Sequence, residues 1–147
     1  MQLTQTLVAA LMAASSAVAA PAPATKSMKA SGAEWTIEKM KRVCASDDSS
    51  CTWTFGINPH TGTTTECKYV VTQAHASRAN PGAPGNCGDY TITSGWSGQF
   101  GEGQGFTTLS VVDNKNRLIV WPAYRDVQVQ EGKVVEPDQS YPAQKLP

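Results

Sequence analysis

The most constraining feature of the sequence is a stretch in which Cys44 and Cys51 enclose six small, polar, turn-forming residues. Directly after it, an apolar residue occupies every second position from Trp53 to Ile57. That period of two predicts a half-buried strand. Another β-rich run begins at Trp35, before the first cysteine. We expect a β-hairpin with a Cys44–Cys51 disulfide across its turn, because so short a connection holds the two cysteines within bridging distance.

The run that precedes the hairpin predicts a strand with one irregularity. Its apolar residues change parity between Ile37 and Met40, which indicates a β-bulge near Lys39. The dibasic pair Lys41-Arg42 is an alternative processing site, because all four cysteines follow it. We favour the strand, since cleavage after Arg42 would remove Trp35 from the core.

The first 19 residues have the pattern of a signal peptide. Small and apolar residues dominate from Leu7 onward, no charged side chain occurs before Lys26, and Ala17-Val18-Ala19 fits the small-x-small rule for cleavage. The apolar run is shorter than the roughly 18 residues that a membrane-spanning helix needs. We therefore predict a signal peptide over residues 1–19, an extracellular protein and no membrane insertion.

The rest of the chain is expected to hold one folded unit. Residues 20–33 have few large apolar side chains, which predicts a disordered N-terminal arm, followed by a single secreted β domain over 34–147. Lysine plus arginine and aspartate plus glutamate both number 12, so the formal net charge is zero. A neutral chain lacks the basic surface that binds nucleic acid, and we expect no nucleic-acid partner.

Four cysteines in a secreted chain of this length predict two disulfides. Loop-closure entropy does not select among the three possible pairings, because their totals differ by only about 1–1.5 kcal/mol. The hairpin geometry favours Cys44 with Cys51, which leaves Cys67 to pair with Cys87.

The remaining pattern predicts an all-β fold. Seven or eight short strands separated by turns, with no helical periodicity, are typical of an antiparallel β-sandwich or a small β-barrel. Residues 73–87 and the glycine-rich segment Gly95–Gly105 are predicted loops, and Pro122 is expected to end a strand ladder. The later predicted strands are Cys67–Thr72, Tyr90–Ser94, Phe106–Val112, Leu118–Trp121 and a last hairpin of Val127, Val129 and Val134-Val135 around Glu131-Gly132.

No motif in the sequence predicts catalysis. His60 and His75 lie in polar, loop-like surroundings without a metal-ligand companion at useful spacing, and a histidine-based hydrolase also needs a nucleophile and an orienting acid. Asp47-Asp48 is a serine-flanked pair, which we interpret as turn-forming. The turn that begins at Asp113 lacks the full calcium-loop pattern. We expect no catalytic residue, no metal site and no cofactor.

The glycine-rich segment is the most interesting surface. Glycines let a ligand approach the backbone, and Trp96 and Phe100 offer platforms for a sugar or a flat aromatic compound. The alternative interpretation, which we favour, is that these aromatics anchor a long loop into the core of a small domain. Trp96 and Phe100 are nonetheless the predicted residues for binding a ligand or partner.

The order of several motifs resembles that of fungal small secreted proteins of the hypersensitive-response-inducing elicitor type, distantly similar to the Alt a 1 group of allergens. The motifs are Trp35-Thr36-Ile37, Arg42-x-Cys44, Cys51-x-Trp53-x-Phe55, a third cysteine, Ser94-Gly95-Trp96-Ser97-Gly98-Gln99-Phe100-Gly101 and Gly105-Phe106-Thr107-Thr108-Leu109-Ser110-Val111-Val112. The resemblance implies a β-rich secreted protein without enzymatic activity, which plants perceive as an elicitor of cell death and defence. The resemblance assigns no functional residue to this chain.

Three functions follow as hypotheses. The first is a secreted fungal effector or elicitor that binds a plant host protein or a cell-surface component. The second is a binding module for a carbohydrate or a small aromatic ligand, which would use Trp96 and Phe100. The third is a secreted hydrolase or an antimicrobial toxin, and the near-zero net charge disfavours a toxin.

Overall fold

The computed structural model describes residues 33–147, in which strands predominate and helices are short. The predicted signal peptide over 1–19 and all but the last residue of the predicted arm over 20–33 lie outside the described residues. No helix within 33–147 is long and apolar enough to cross a membrane. The strands are β1 (Glu34–Cys44), β2 (Ser50–Asn58), β3 (Thr65–Thr72), β4 (Gly82–Cys87), β5 (Tyr90–Ser97), β6 (Phe106–Asp113), β7 (Leu118–Val120), β8 (Ala123–Arg125), β9 (Gln139–Pro142) and β10 (Gln144–Lys145). The helices are α1 (Asp126–Val129) and the 3₁₀ turns Ala76–Arg78 and Gln130–Gly132.

The strands form two antiparallel sheets. The first has the order β3-β2-β1-β9, and the second has the order β10-β7-β6-β5-β4, with β8 also paired to β6. The predicted all-β antiparallel architecture with two disulfides is therefore confirmed, and the sheets do not close into a barrel. The C-terminal segment belongs to both sheets, because β9 pairs with β1 and β10 pairs with β7.

The β1–β2 hairpin has the predicted register and disulfide. Cys44 lies directly opposite Cys51 and is bonded to it. The register shifts between Glu38 and Lys41, and Lys39 has a positive φ of 51°. This bulge turns Arg42 inward, where its side chain is buried opposite Trp53. Arg42 is thus part of the interior of β1, as the strand interpretation of the dibasic pair expects.

One hydrophobic core lies between the sheets. Its largest fully buried side chains come from both of them and include Trp35, Phe55, Tyr69, Ile92, Leu109 and Tyr124. The Cys67–Cys87 disulfide joins β3 to β4, with Cα atoms 5.6 Å apart. Nearby, the Tyr69 hydroxyl donates to the carbonyl oxygen of Ala83 at 2.7 Å. The edge of one sheet is therefore bonded covalently and by a hydrogen bond to the edge of the other.

Strand β4 corrects the prediction that residues 73–87 are all loop. Its glycines and proline have low strand propensity, but two of the glycines are needed where they lie. A Cβ atom on Gly82 would come 2.7 Å from the Tyr69 hydroxyl oxygen, and one on Gly85 would come 2.9 Å from the Tyr69 ring. The bare backbone of β4 thus makes room for the tyrosine, and pairing with β5 outweighs the weak local preference.

The predicted last hairpin is wrong. The segment from Asp126 to Val129 is helical, and the amide of Val135 donates to the carbonyl of Met40, at the bulge of β1. The expected turn at Glu131-Gly132 is present, because both residues have positive φ. The sequence pattern did not predict strands β8, β9 and β10. Their segments are short and polar, and they form strands because they pair with other strands of the fold.

Candidate functional site

The glycine-rich loop comprises residues 98–105 and connects β5 to β6, so the first three residues of the predicted loop, Gly95 to Ser97, belong instead to β5. Trp96 fixes the base of the loop. The indole is half-buried near the end of β5, opposite Thr107. A Cβ atom on Gly98 would lie 2.9 Å from Trp96 Cζ3, and one on Gly105 would lie 2.5 Å from Trp96 Cζ2. Glycine is required at both positions because the loop backbone packs directly on the ring.

A carboxylate beneath the loop holds the indole in place. Trp96 Nε1 donates to Asp126 Oδ2 at 2.9 Å, and the amide of Asp126 donates to the carbonyl of Gly105 at 2.9 Å. The second carboxylate oxygen accepts a hydrogen bond from Arg42 Nη1 at 3.3 Å. Arg42 is only 8% exposed, and its guanidinium lies 5.6 Å from the centre of the Trp53 ring. One residue of α1 therefore connects β1, β5 and the loop.

The outer side of the indole is covered by a cation. The Arg78 guanidinium lies 5.0 Å from the centre of the Trp96 ring. Its Nη2 atom is 3.9 Å from Glu102 Oε1, and both of these charged side chains are largely exposed, so the ion pair is weak. Trp96 is thus engaged by neighbours within the chain.

Phe100 lies at the tip of the same loop and is displayed to solvent. Its side chain is 65% exposed, the highest value among the large apolar residues described, and its ring stacks on Phe106 with centroids 5.9 Å apart. Gly101 and Gly103 have φ values of 103° and 79°, so the chain turns sharply directly after it. Beside the loop is a shallow cleft of about 300 Å³, lined by Arg78, Trp96, Glu102, Asp126, Val127 and Gln130. The structure places Phe100 on the loop and Trp96 in the strand β5 that precedes it, and the two residues have different contacts.

Sequence reasoning missed the two charged residues that complete this site. In the sequence Arg42 stands out as part of a dibasic pair and not as a charge with a buried partner, and Asp126 belongs to no pattern. The two residues are 84 positions apart in the chain. No local spacing signals such a pair, although an arginine at an inward-facing strand position implies a buried partner.

The two histidines lie far from each other. His60 lies near the last residue of β2 and His75 lies near its first. The nine residues of β2 span roughly 26 Å. His60 Nε2 is 2.7 Å from the hydroxyl of Thr36, on the exposed surface. This resembles a nucleophile and base pair, but none of the carboxylates described within 33–147 bonds to His60. His75 has a left-handed conformation before the 3₁₀ turn at Ala76–Arg78.

The other candidate carboxylates hold turns. Two hydrogen bonds from Ser49, the stronger from its hydroxyl, lower the pKa of Asp47. The carboxylate of Asp48 accepts hydrogen bonds from the amide and hydroxyl of Ser77, at 2.9 and 2.7 Å. Asp48 also lies beside Cys44 and Cys51, but these sulfurs are bonded to each other and offer no thiolate for a metal.

The carboxylate of Asp113 has the same kind of role. It accepts hydrogen bonds from the amides of Lys115 and Asn116 and from Asn116 Nδ2. These bonds close the β6–β7 turn and fix the position of the aspartate.

Comparisons with known proteins give one consistent result. The family model described as "Effector TSP1" matches residues 36–146. A curated protein of the same description from Hypocrea virens (strain Gv29-8 / FGSC 10586) is 61% identical over 148 aligned positions, which cover 100% of both chains. These matches confirm the expectation of a fungal effector, and they do not show a relationship to the Alt a 1 allergens.

Proposed function

Because this chain belongs to the Effector TSP1 family of fungal proteins, we propose that it is a secreted effector that acts on a plant host by being bound, without catalysis. The partner is a host protein or a cell-surface component, and the response is that of an elicitor. The signal-peptide pattern of residues 1–19 and the two disulfides support secretion.

The observation that carries the binding part of the proposal is the display of Phe100. Its exposed ring stands on a loop whose base is held by Trp96 and Asp126. Aromatic side chains dominate the binding energy of many interfaces. A loop that is already ordered also loses little conformational entropy when a partner binds. An exposed phenylalanine on a fixed loop therefore suits a contact surface better than a reaction centre.

The test is a dose series of purified protein infiltrated into leaves. Phe100→Ala is compared with Val70→Ala, which removes a 46% exposed apolar side chain from the outer face of the other sheet. If the loop is the contact, Phe100→Ala should raise the dose for a half-maximal response about 10- to 30-fold, as expected for loss of an interface anchor. Val70→Ala should match the parent. Both variants must keep the parent's melting temperature, and protein that has been reduced and heated is the negative control.

The same assay separates recognition from catalysis. His60→Ala and His75→Ala should each leave the response within a few-fold of the parent. Replacing a catalytic base typically costs about 10²–10⁴-fold. A folded histidine variant with a hundredfold weaker response would contradict the proposal. Equal responses from Phe100→Ala and Val70→Ala would exclude the glycine-rich loop as the contact.

A further inference from the structure

A second cleft lies at the other end of the molecule from the glycine-rich loop. That loop joins the end of β5 to the start of β6, whereas this cleft lies beside the first residue of β5 and the last residue of β6. It has a volume of about 780 Å³ and lies between the β2–β3 connection, the β4–β5 turn and the β6–β7 turn. Clefts of this size commonly hold small ligands.

The floor of the cleft contains Tyr90, whose hydroxyl has no hydrogen-bond partner among residues 33–147. Tyr90 is 8% exposed, and its ring packs edge-on against Trp35 with centroids 5.7 Å apart. No hydrogen bond to its hydroxyl is found within residues 33–147, although the residue lines the cleft. Tyr69, by contrast, hydrogen-bonds to Ala83 and lies 3.1 Å from the Ser94 hydroxyl. The Tyr90 hydroxyl is not fully enclosed, so its hydrogen-bonding capacity is open to water or to a ligand in the cleft.

The chemistry of Tyr90 suits a neutral hydrogen-bonding role. Burial, then the negative charges of Asp113 and Asp89, raises the pKa of its phenol. The hydroxyl therefore stays protonated at neutral pH and can both donate and accept a hydrogen bond.

The rim of the cleft carries both hydrogen-bond donors and hydrogen-bond acceptors. Asp89 and Asp113 bring carboxylate oxygens, Lys115 brings an ammonium group, Asn116 Nδ2 has one N–H besides the one that bonds to Asp113, and Thr61 brings a hydroxyl that both donates and accepts. Asp113 is 6% exposed and is fixed by the amides of the turn that follows it. Several of these polar groups thus hold their positions before any ligand arrives.

We propose that this cleft binds a neutral, hydroxyl-rich ligand, a short oligosaccharide, with the Tyr90 hydroxyl and the Asp89 and Asp113 carboxylates bonding to sugar hydroxyl groups. Each sugar hydroxyl can donate and accept, which matches the mixed rim. An anionic ligand would face two carboxylates and a single ammonium group, that of Lys115. This site is separate from the loop that carries the proposed host contact, so either can exist without the other.

The experiment is titration calorimetry of the full folded chain with three neutral hexasaccharides: cellohexaose, laminarihexaose and mannohexaose. An anionic galacturonate hexamer forms the comparison arm. We expect saturable binding of at least one neutral sugar, and weaker or no binding of the anionic one. Absence of saturable binding by all three neutral sugars would overturn the proposal, as would tighter binding of the galacturonate hexamer.

Variants then connect binding to the cleft. Tyr90→Phe keeps the ring and removes the hydroxyl, and it should weaken binding about 5- to 10-fold, the usual effect of one lost hydrogen bond. Asp89→Asn should also weaken binding, whereas Glu102→Gln, which removes a charge from the distant loop, should not. The melting temperature of Tyr90→Phe should equal or exceed the parent's, because no protein hydrogen bond is lost. Unchanged sugar affinity in both cleft variants would place the binding elsewhere, and a lower melting temperature of Tyr90→Phe would show that its hydroxyl already has a partner within the protein.

Discussion

Replacing Asp126 with asparagine removes one negative charge at the junction of β1, β5 and the glycine-rich loop. The carboxylate accepts a hydrogen bond from the indole N–H of Trp96 and pairs with the guanidinium of Arg42. The single amide oxygen of asparagine cannot occupy both positions, and its NH₂ group would face one of the two donors. Arg42, only 8% exposed, would then lack its counter-ion.

The cost follows from the burial of the two partners. Removing one partner of a fully buried ion pair costs roughly 3–5 kcal/mol, and a hydrogen bond to a charged group contributes about 1.5–3 kcal/mol. Asp126 is 29% exposed, so water screens part of the pair and compensates part of the loss. We therefore expect Asp126→Asn to lower the free energy of unfolding by about 2–4 kcal/mol. For a domain of this size the melting temperature should fall by roughly 8–15 °C.

Urea denaturation of the purified oxidised protein measures this loss. Glu102→Gln is the matched control, because its carboxylate is 87% exposed and forms only a 3.9 Å contact with Arg78. It should change the free energy of unfolding by less than about 0.5 kcal/mol. The double variant Arg42→Met with Asp126→Asn should cost at least about 1 kcal/mol less than the sum of the single variants, because the unpaired charge is gone. Additive costs, or a cost below about 1 kcal/mol for Asp126→Asn, would refute the network.

Three further predictions test the packing, the covalent link between the sheets and the tyrosines. Gly105→Ala should cost about 1–3 kcal/mol by pushing a methyl group against Trp96, while Gly62→Ala, whose Cβ would meet nothing within 4 Å, should stay within about 0.5 kcal/mol. Equal urea midpoints for these two variants would contradict the packing described. Replacing Cys67 and Cys87 together by alanine should cost about 2–5 kcal/mol in the same assay, and an unchanged midpoint would show that the bond between the sheets is dispensable. The fold raises the pKa of all four tyrosines, chiefly by burial, so their contribution to stability should be constant below the ordinary phenol pKa of about 10 and fall as the pH rises beyond it. Tyrosinate absorbance should therefore rise at a higher pH in the folded protein than in protein unfolded by urea, and coincident titration curves would contradict the raised pKa values.

The sequence by itself determined the elements whose side chains alternate locally. The period of two from Trp53 to Ile57 gave β2, and the parity change before Met40 gave the bulge of β1. The short connection between Cys44 and Cys51 fixed one disulfide, and by elimination the other. These features depend on residues that are close in the chain, which is why pattern and spacing were enough.

The candidate site was only half visible in the sequence. Trp96 and Phe100 stand out as aromatic residues among glycines. Their spacing alone did not show that Trp96 packs against other parts of the protein while Phe100 is exposed. Trp96 is engaged because Arg78 and Asp126 reach it from other parts of the fold, and Phe100 is exposed because the loop turns directly after it.

Only the tertiary structure decided the features that need two distant segments to meet. Strand β4 forms against local propensity because β5 pairs with it and Tyr69 packs on its glycines. The Val134-Val135 segment meets the bulge of β1 and does not pair with its neighbours in the chain. The Arg42–Asp126 pair likewise joins residues 84 positions apart. A contact of this kind depends on how the sheets pack, and neither propensity nor periodicity within a short window contains that information.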